Sequence, residues 1–225
     1  MLKRLAFATA FSLALMGAAA AAETPRKGGT VRFVAPYGSS FSGLDILSSQ
    51  RTQDEIFARA IHRSLYKWSF TENTPVLDLA TEDKVSSDGH THTYKLRNDV
   101  YFHNGRKMTA DDIIWTYNHI MDGKKAYPGA RSVRIIKGAV EVEKGEAKEI
   151  SGLKKIDDFT LQMTLSEKVE PRYYLWYVTT SIYPPEEAVK ESFATHPIGL
   201  GPFKFVEHVP GSQRAYGSGL SPIAN

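Results

Sequence analysis

The stretch from Tyr94 to Met121 constrains this chain most, because a strand pattern, turn residues and helix signals follow one another there without a gap. His92, Tyr94 and Leu96 project to one face of an extended segment while Thr93, Lys95 and Arg97 project to the other, as a half-buried strand requires. Asn98-Asp99 marks a turn, and Val100, Tyr101 and Phe102 suit a returning strand. Asn104-Gly105 ends that strand with a pair that readily adopts positive φ. Thr109 is placed to cap the next helix, its hydroxyl accepting from the amide of Asp112, and Asp111 and Asp112 put negative charge where the helix dipole favours it. Ile113, Ile114, Tyr117, Ile120 and Met121 recur at helical spacing on one face, and Gly123 offers a left-handed stop. These signals predict an α+β scaffold and contain no catalytic grouping.

The 225 residues suffice for one large domain or two small ones. Residues 1–22 read as a secretory signal: Lys3 and Arg4 precede an apolar run from Leu5 to Met16, and Ala20 and Ala22 supply an A-x-A site for cleavage before Glu23. With no cysteine, the chain has no disulfide, no thiolate metal ligand, no Cys nucleophile and no lipid-bearing cysteine at the cleavage site. An exported protein without a lipid tether is expected in a bacterial periplasm. Removal of Lys3 and Arg4 lowers the formal net charge from +3 to +1, which gives no reason to invoke nucleic acid or an anionic membrane surface.

Thr30 to Ala35 reads as a short strand, and Pro36 to Gln50 as a loop whose Tyr37 and Phe41 either contact a ligand or anchor the loop in the core. Thr52 and Glu55 have capping-box spacing, and Ile56, Phe57, Ala60 and Ile61 form the buried stripe of a helix ending near Leu65. Tyr66, Trp68 and Phe70 alternate along a strand, and Ser86 to Gly89 is a turn. Lys124 to Arg134 is a loop rich in Gly, Pro and cations, and Ile136 to Lys155 reads as charged, exposed structure. After a turn at Asp157-Asp158, Phe159, Leu161, Met163 and Leu165 share one face of a strand. Arg172 to Tyr177 gathers three tyrosines, a leucine and a tryptophan around one arginine. Glu186 to Phe193 reads as a short helix behind Pro184-Pro185, with Glu186 and Lys190 spaced for an i,i+4 pair.

Tyr94, Leu96, Arg97, Val100, Phe102, His103, Asn104, Gly105, Met108, Thr109, Ala110, Asp111 and Asp112 stand in register with a hairpin-and-helix signature. On these residues the chain resembles the peptide/nickel-type (family 5) extracellular solute-binding proteins of ABC importers. Pro197-Ile198-Gly199-Leu200-Gly201-Pro202-Phe203 is similar to a second motif of that family, and Ile150-Ser151-Gly152 through Asp157-Asp158 to a third, so the resemblance covers about Gly28 to Gly211. Two departures stand out: Gly43-Leu44-Asp45-Ile46 replaces a frequent S-L-D-P, and Leu200 replaces a Thr. The resemblance implies an α+β fold, the first lobe of a two-lobed periplasmic-binding-protein fold (type II, cluster C), here truncated. Residues 23–211 would form the first-lobe portion, and 212–225 an aberrant or disordered tail with no strand pattern.

The function so implied is capture of a peptide or similar small solute in the periplasm for delivery to the permease subunits of an ABC importer. The protein would be a monomer without cofactor and would catalyse no reaction. A nickel-chelate or opine binder and a secreted hydrolase are the alternatives. Extended solutes are held by backbone hydrogen bonds and apolar walls, so loop aromatics are the candidate contacts: Tyr37 and Phe41 first, then Tyr127 and Trp176, with Arg131 for a carboxylate or other anion. For Trp176 a core position is the stronger reading, since it lies in an apolar run. His90, His92 and His103 suggest a metal site, but no carboxylate cluster or thiolate completes a ligand set, so no metal is expected. No G-x-S-x-G elbow supports a serine hydrolase. Affinity of this chain alone is expected to be weak, because a cleft needs both walls.

Overall fold

The computed structural model of the protein describes residues 43–49, 51–209 and 213–218. The expected signal segment, the expected strand Thr30 to Ala35, and Tyr37 and Phe41 lie outside these residues.

The centre is an antiparallel sheet of four strands, β3 (Ala80–Val85), β4 (Thr91–Leu96), β5 (Leu153–Asp157) and β6 (Thr160–Thr164), in the order β3-β4-β6-β5. The alternation of the sequence sets its two faces. Tyr94 opposes Leu161 and His92 opposes Met163, all four buried, while the intervening Thr93, Lys95 and Gln162 line the polar face. Helix α2 (Ala110–Ile120) closes the apolar face with Ile113, Tyr117 and Ile120, which have no exposed surface. Its start is the expected capping box: the Thr109 amide donates to the Asp112 carboxylate at 2.8 Å. Arg106 also donates to that carboxylate, at 2.7 and 3.1 Å.

The hairpin preceding α2 differs from the sequence expectation. Val100 to Phe102 does not return along β4, whose two edges are occupied by β3 and β6. Instead it folds on itself: Tyr101 bridges Lys107, the Phe102 amide donates to the Arg106 carbonyl at 2.8 Å, and Gly105 makes the turn at φ +87°. Gly123 does not adopt the expected left-handed conformation. A Cβ there would stand 2.0 Å from the Glu143 carbonyl oxygen, so it serves close backbone approach.

Helix α1 (Thr52–Ile61) begins one residue earlier than a Thr52 cap allows, with Arg51 at the cap position, and Glu55 pairs with Arg59 at 3.6 Å instead of closing a box. It ends at Ile61, short of Leu65, because the second motif covers its last turn: the Gly201 amide donates to the Ile61 carbonyl at 2.7 Å. His103 ties that motif to the hairpin. The Gly199 amide donates to its Nδ1 at 3.2 Å and its Nε2 lies 2.8 Å from the Gly201 carbonyl.

β1 (Tyr66–Ser69) pairs with β2 (Thr74–Leu77), and Phe70 falls beyond β1, 92% exposed, because the chain is already turning. The region 136–155 is less exposed than its charge suggests, since Ile136, Ala139 and Ile150 are buried around the short helix α4 (Ala139–Glu143), which follows α3 (Ala130–Val133). Helix α5 (Pro185–Ala188) is a single turn, too short for the expected Glu186–Lys190 pair. Glu186 meets Arg106 at 2.6 Å, and Lys190 meets Glu187 at 2.7 Å. The absence of strand expected for 212–225 is corrected by β8 (Gln213–Ser218), which pairs with β7 (Phe203–Val209). The reason is physical: a ladder of backbone hydrogen bonds needs no side-chain alternation to form.

Candidate functional site

Four separate segments build an aromatic strip at the edge of the core. Trp68 shares a strand face with Tyr66, which is buried, and extends that face to where Trp176 lies against it, with ring centroids 5.0 Å apart. Tyr177 follows at 4.5 Å from Trp176. Its backbone is fixed by its own carbonyl, which accepts from the Thr180 amide (2.9 Å), the Thr180 hydroxyl (2.7 Å) and the Ser64 hydroxyl (2.9 Å). Two guanidiniums lie over these rings: Arg59, from the last turn of α1, is 5.6 Å from the Trp176 centroid, and Arg131, from α3, is 6.0 Å from that of Tyr177. Gly129 permits the close approach of α3, its Cβ-less backbone touching the Thr179 carbonyl.

Of the side chains expected to contact a ligand, Arg131 and Trp176 are therefore brought together, with Tyr177 between them. Trp176 is half-buried, neither fully core nor free. Tyr127 stands apart in a second aromatic group. It is nearly buried and its hydroxyl lies 3.1 Å from His119 Nε2, while the imidazole stacks on Trp115 at 4.5 Å. Burial lowers the His119 pKa and so favours the neutral imidazole. Tyr37 and Phe41 lie outside the described residues, but the following segment is anchored: the Tyr183 hydroxyl donates to Asp45 at 3.1 Å and accepts from the Ile46 amide at 2.9 Å. Sequence reasoning missed Trp68, Tyr177 and Arg59 as members of a site. The aromatic run ending at Tyr177 was a usable signal, whereas nothing local distinguishes Arg59.

The three histidines considered for a metal do not converge. His92 Nδ1 lies 3.0 Å from the Asp83 carboxylate, His90 Nδ1 lies 3.4 Å from the Leu165 carbonyl, and His103 holds the second motif. Among the described residues there is no group of three or more His, Cys, Asp or Glu suited to a metal ion. Two open depressions lie off the strip. One, of about 640 Å³, is on the polar side of the sheet around Lys95, Arg97 and Asp99. The other, of about 350 Å³, is lined by Tyr66, Pro75, Asp83 and Arg172 and so shares the β1–β2 hairpin with the strip. The strip is the better candidate, because three aromatic rings in mutual contact and two guanidiniums over them coincide there.

A half-buried antiparallel sheet, a crossing helix and an aromatic edge assembled from loops define an α+β lobe of the solute-binding type. Solved structures share the fold: the Listeria monocytogenes OppA bound to peptide has a TM-score of 0.69 at 23% identity, over 73% of this chain and 34% of that one. The pheromone receptor PrgZ has a TM-score of 0.72 at 19% identity, over 82% of this chain and 38% of that one. Residues 74–216 match the model of the bacterial extracellular solute-binding proteins, family 5 Middle, and the chain belongs to this family. It is similar to the periplasmic oligopeptide-binding protein OppA of Escherichia coli K12, 31% identical over 160 residues that make up 69% of this chain and 29% of that protein. It is also similar to the dipeptide-binding protein of the same organism, 29% identical over 167 residues, 67% of this chain and 30% of that protein. The chain thus spans less than a third of the length of these relatives, both named as binding proteins rather than enzymes.

Proposed function

We propose that the whole protein captures peptides or similar small solutes in the periplasm for an ABC importer, without catalysing a reaction, and that this chain supplies one wall of the binding cleft. The observation that carries the reading is the strip of Trp68, Trp176 and Tyr177 flanked by Arg59 and Arg131. Flat apolar surface with few fixed polar groups tolerates varied side chains, as a binder of extended solutes requires. The relatives named for oligopeptides and dipeptides support the same ligand class. In this reading residues 1–22 are the export signal, the chain from 23 through β8 belongs to the first lobe, and permease subunits are the protein partners. Tyr37, Phe41 and Tyr127 are further candidate contacts in this reading.

The test is a nuclear magnetic resonance titration of the 225-residue chain with a tripeptide, following the indole N–H signals of its three tryptophans. Saturation is expected only in the millimolar range, about 4 kcal/mol of binding free energy, because one wall buries little of the ligand. Signals of Trp68 and Trp176 should shift while that of Trp115 stays. No shift at either strip tryptophan would overturn the wall, and micromolar affinity of this chain alone would overturn the need for a second one.

A further inference from the structure

Resting on that reading, we propose that Arg59, with Arg131 at the far end of the strip, makes the wall discriminate against basic ligands: it admits peptides whose side chain there is aromatic or aliphatic and turns away lysine and arginine.

A cluster of accessible aromatic rings ordinarily attracts cations, because the negative face of each ring draws an ammonium or guanidinium to within about 6 Å of its centroid. Here the protein fills that role itself. Arg59, in the last turn of α1, stands 5.6 Å from the Trp176 centroid, and Arg131 stands 6.0 Å from that of Tyr177. Trp176 is also flanked by Trp68 at 5.0 Å and Tyr177 at 4.5 Å, so three side chains already crowd its ring. A ligand cation would have to displace a guanidinium or lie beside one. The surrounding charge acts in the same direction. Over Thr52 to Ser69 and Ala130 to Val133, the segments that supply Arg59, Trp68 and Arg131, the charged side chains are Asp54, Glu55, Arg59, Arg63, Lys67 and Arg131, a net positive balance. Arg63 and Lys67 share the one carboxylate of Asp78, at 2.9 and 3.3 Å. A neutral aromatic side chain meets no such penalty, since a planar guanidinium stacks on it as readily as on Tyr177. Selectivity here comes from repelling the wrong ligand, not from a new bond to the right one.

The experiment titrates the 225-residue chain with Ala-Lys-Ala and with the same tripeptide carrying Nε-acetyl-lysine, which keeps the stem and removes the charge, and reads the Trp68 and Trp176 indole signals. At low salt the acetylated peptide is expected to bind about fourfold more tightly, the factor for one pair of like charges about 5 Å apart in water. The difference should vanish in about 1 M salt. In the double variant Arg59→Gln, Arg131→Gln the order should level or reverse, because the ring faces are then open to the ammonium. The double variant Arg59→Lys, Arg131→Lys should keep the discrimination. Equal binding of the two peptides to the parent, or a difference undiminished in the glutamine variant, overturns the assignment while leaving the wall standing. If no peptide moves either tryptophan, the wall and this assignment fall together. Both variants should match the parent in urea unfolding, since the two side chains are exposed.

Discussion

Replacing Gly129 by Ala tests the contact that holds α3, and with it Arg131, against the turn that carries Tyr177. A methyl group at Gly129 would land 2.2 Å from the Thr179 carbonyl oxygen and 3.1 Å from its carbon, with the Ile120 side chain at 3.5 Å. Carbon–oxygen contacts settle near about 3.3 Å, so the two backbones must separate by roughly 1 Å. Neither atom sits on a side chain that can rotate away. The dihedral angles at Gly129 are φ −64° and ψ −18°, ordinary helical values, so alanine suffers no backbone strain. Through the unfolded chain alone the substitution would gain about 0.4–1 kcal/mol, whereas overpacking costs about 1–3 kcal/mol. The net loss expected is about 1–2 kcal/mol, which lowers the urea midpoint by roughly 0.5–1 M for a slope near 2 kcal/mol/M. Separation also moves Arg131 away from Tyr177, so the Trp176 indole signal should shift. A variant as stable as the parent, with an unmoved Trp176 signal, would show that the close approach does not exist. Gly105→Ala is the control: nothing lies within 4 Å, but φ is +87°, so a loss of stability is expected there without any change at Trp176. Its cost is about 1–2 kcal/mol from the left-handed backbone alone.

His62 should make stability fall in mild acid. Burial between Tyr183 and Phe193 lowers its pKa to about 3 from 6.5. The folded value is below the unfolded one, so the unfolded chain binds the extra proton between them. Stability is therefore full above about pH 6.5 and declines by up to about 1.4 kcal/mol per unit as pH falls toward 3. Between pH 7 and 5.5 the parent should lose about 1.3 kcal/mol more than His62→Gln in urea unfolding, and parallel curves would refute the assignment. Asp112→Ala removes the acceptor for the Thr109 amide and for two Arg106 bonds, from a side chain only 3% exposed. Its expected cost is about 2–4 kcal/mol, discounted because Arg106 is part-exposed and keeps Glu186, and a change in thermal unfolding worth less than about 0.5 kcal/mol would contradict it.

The elements legible in the sequence are those whose cause is local. The alternation around Tyr94 and Leu161, the spacing from Ile113 to Ile120 and the box of Thr109 with Asp112 each express an interaction within about four residues. Where a local signal had two outcomes, the sequence expectation failed. Gly123 offered a left-handed turn and serves close approach, and Thr52 with Glu55 offered a box but lies inside its helix. The Gly- and Ser-rich end offered no strand, yet its backbone pairs with β7.

By itself the sequence determined the α+β class, the two faces of the central sheet and, through three motifs, the family. Tertiary structure decided how the first two of them meet, with His103 joining the hairpin to Gly199 and Gly201 across some hundred residues. It also decided the candidate site. Trp68 and Trp176 stack only because β1 and the 174–177 segment converge, and Arg131 reaches Tyr177 only because a glycine lets two backbones touch. Propensity and periodicity act over one or two turns of chain, whereas a binding wall is made of side chains from distant segments whose meeting depends on the whole packed core.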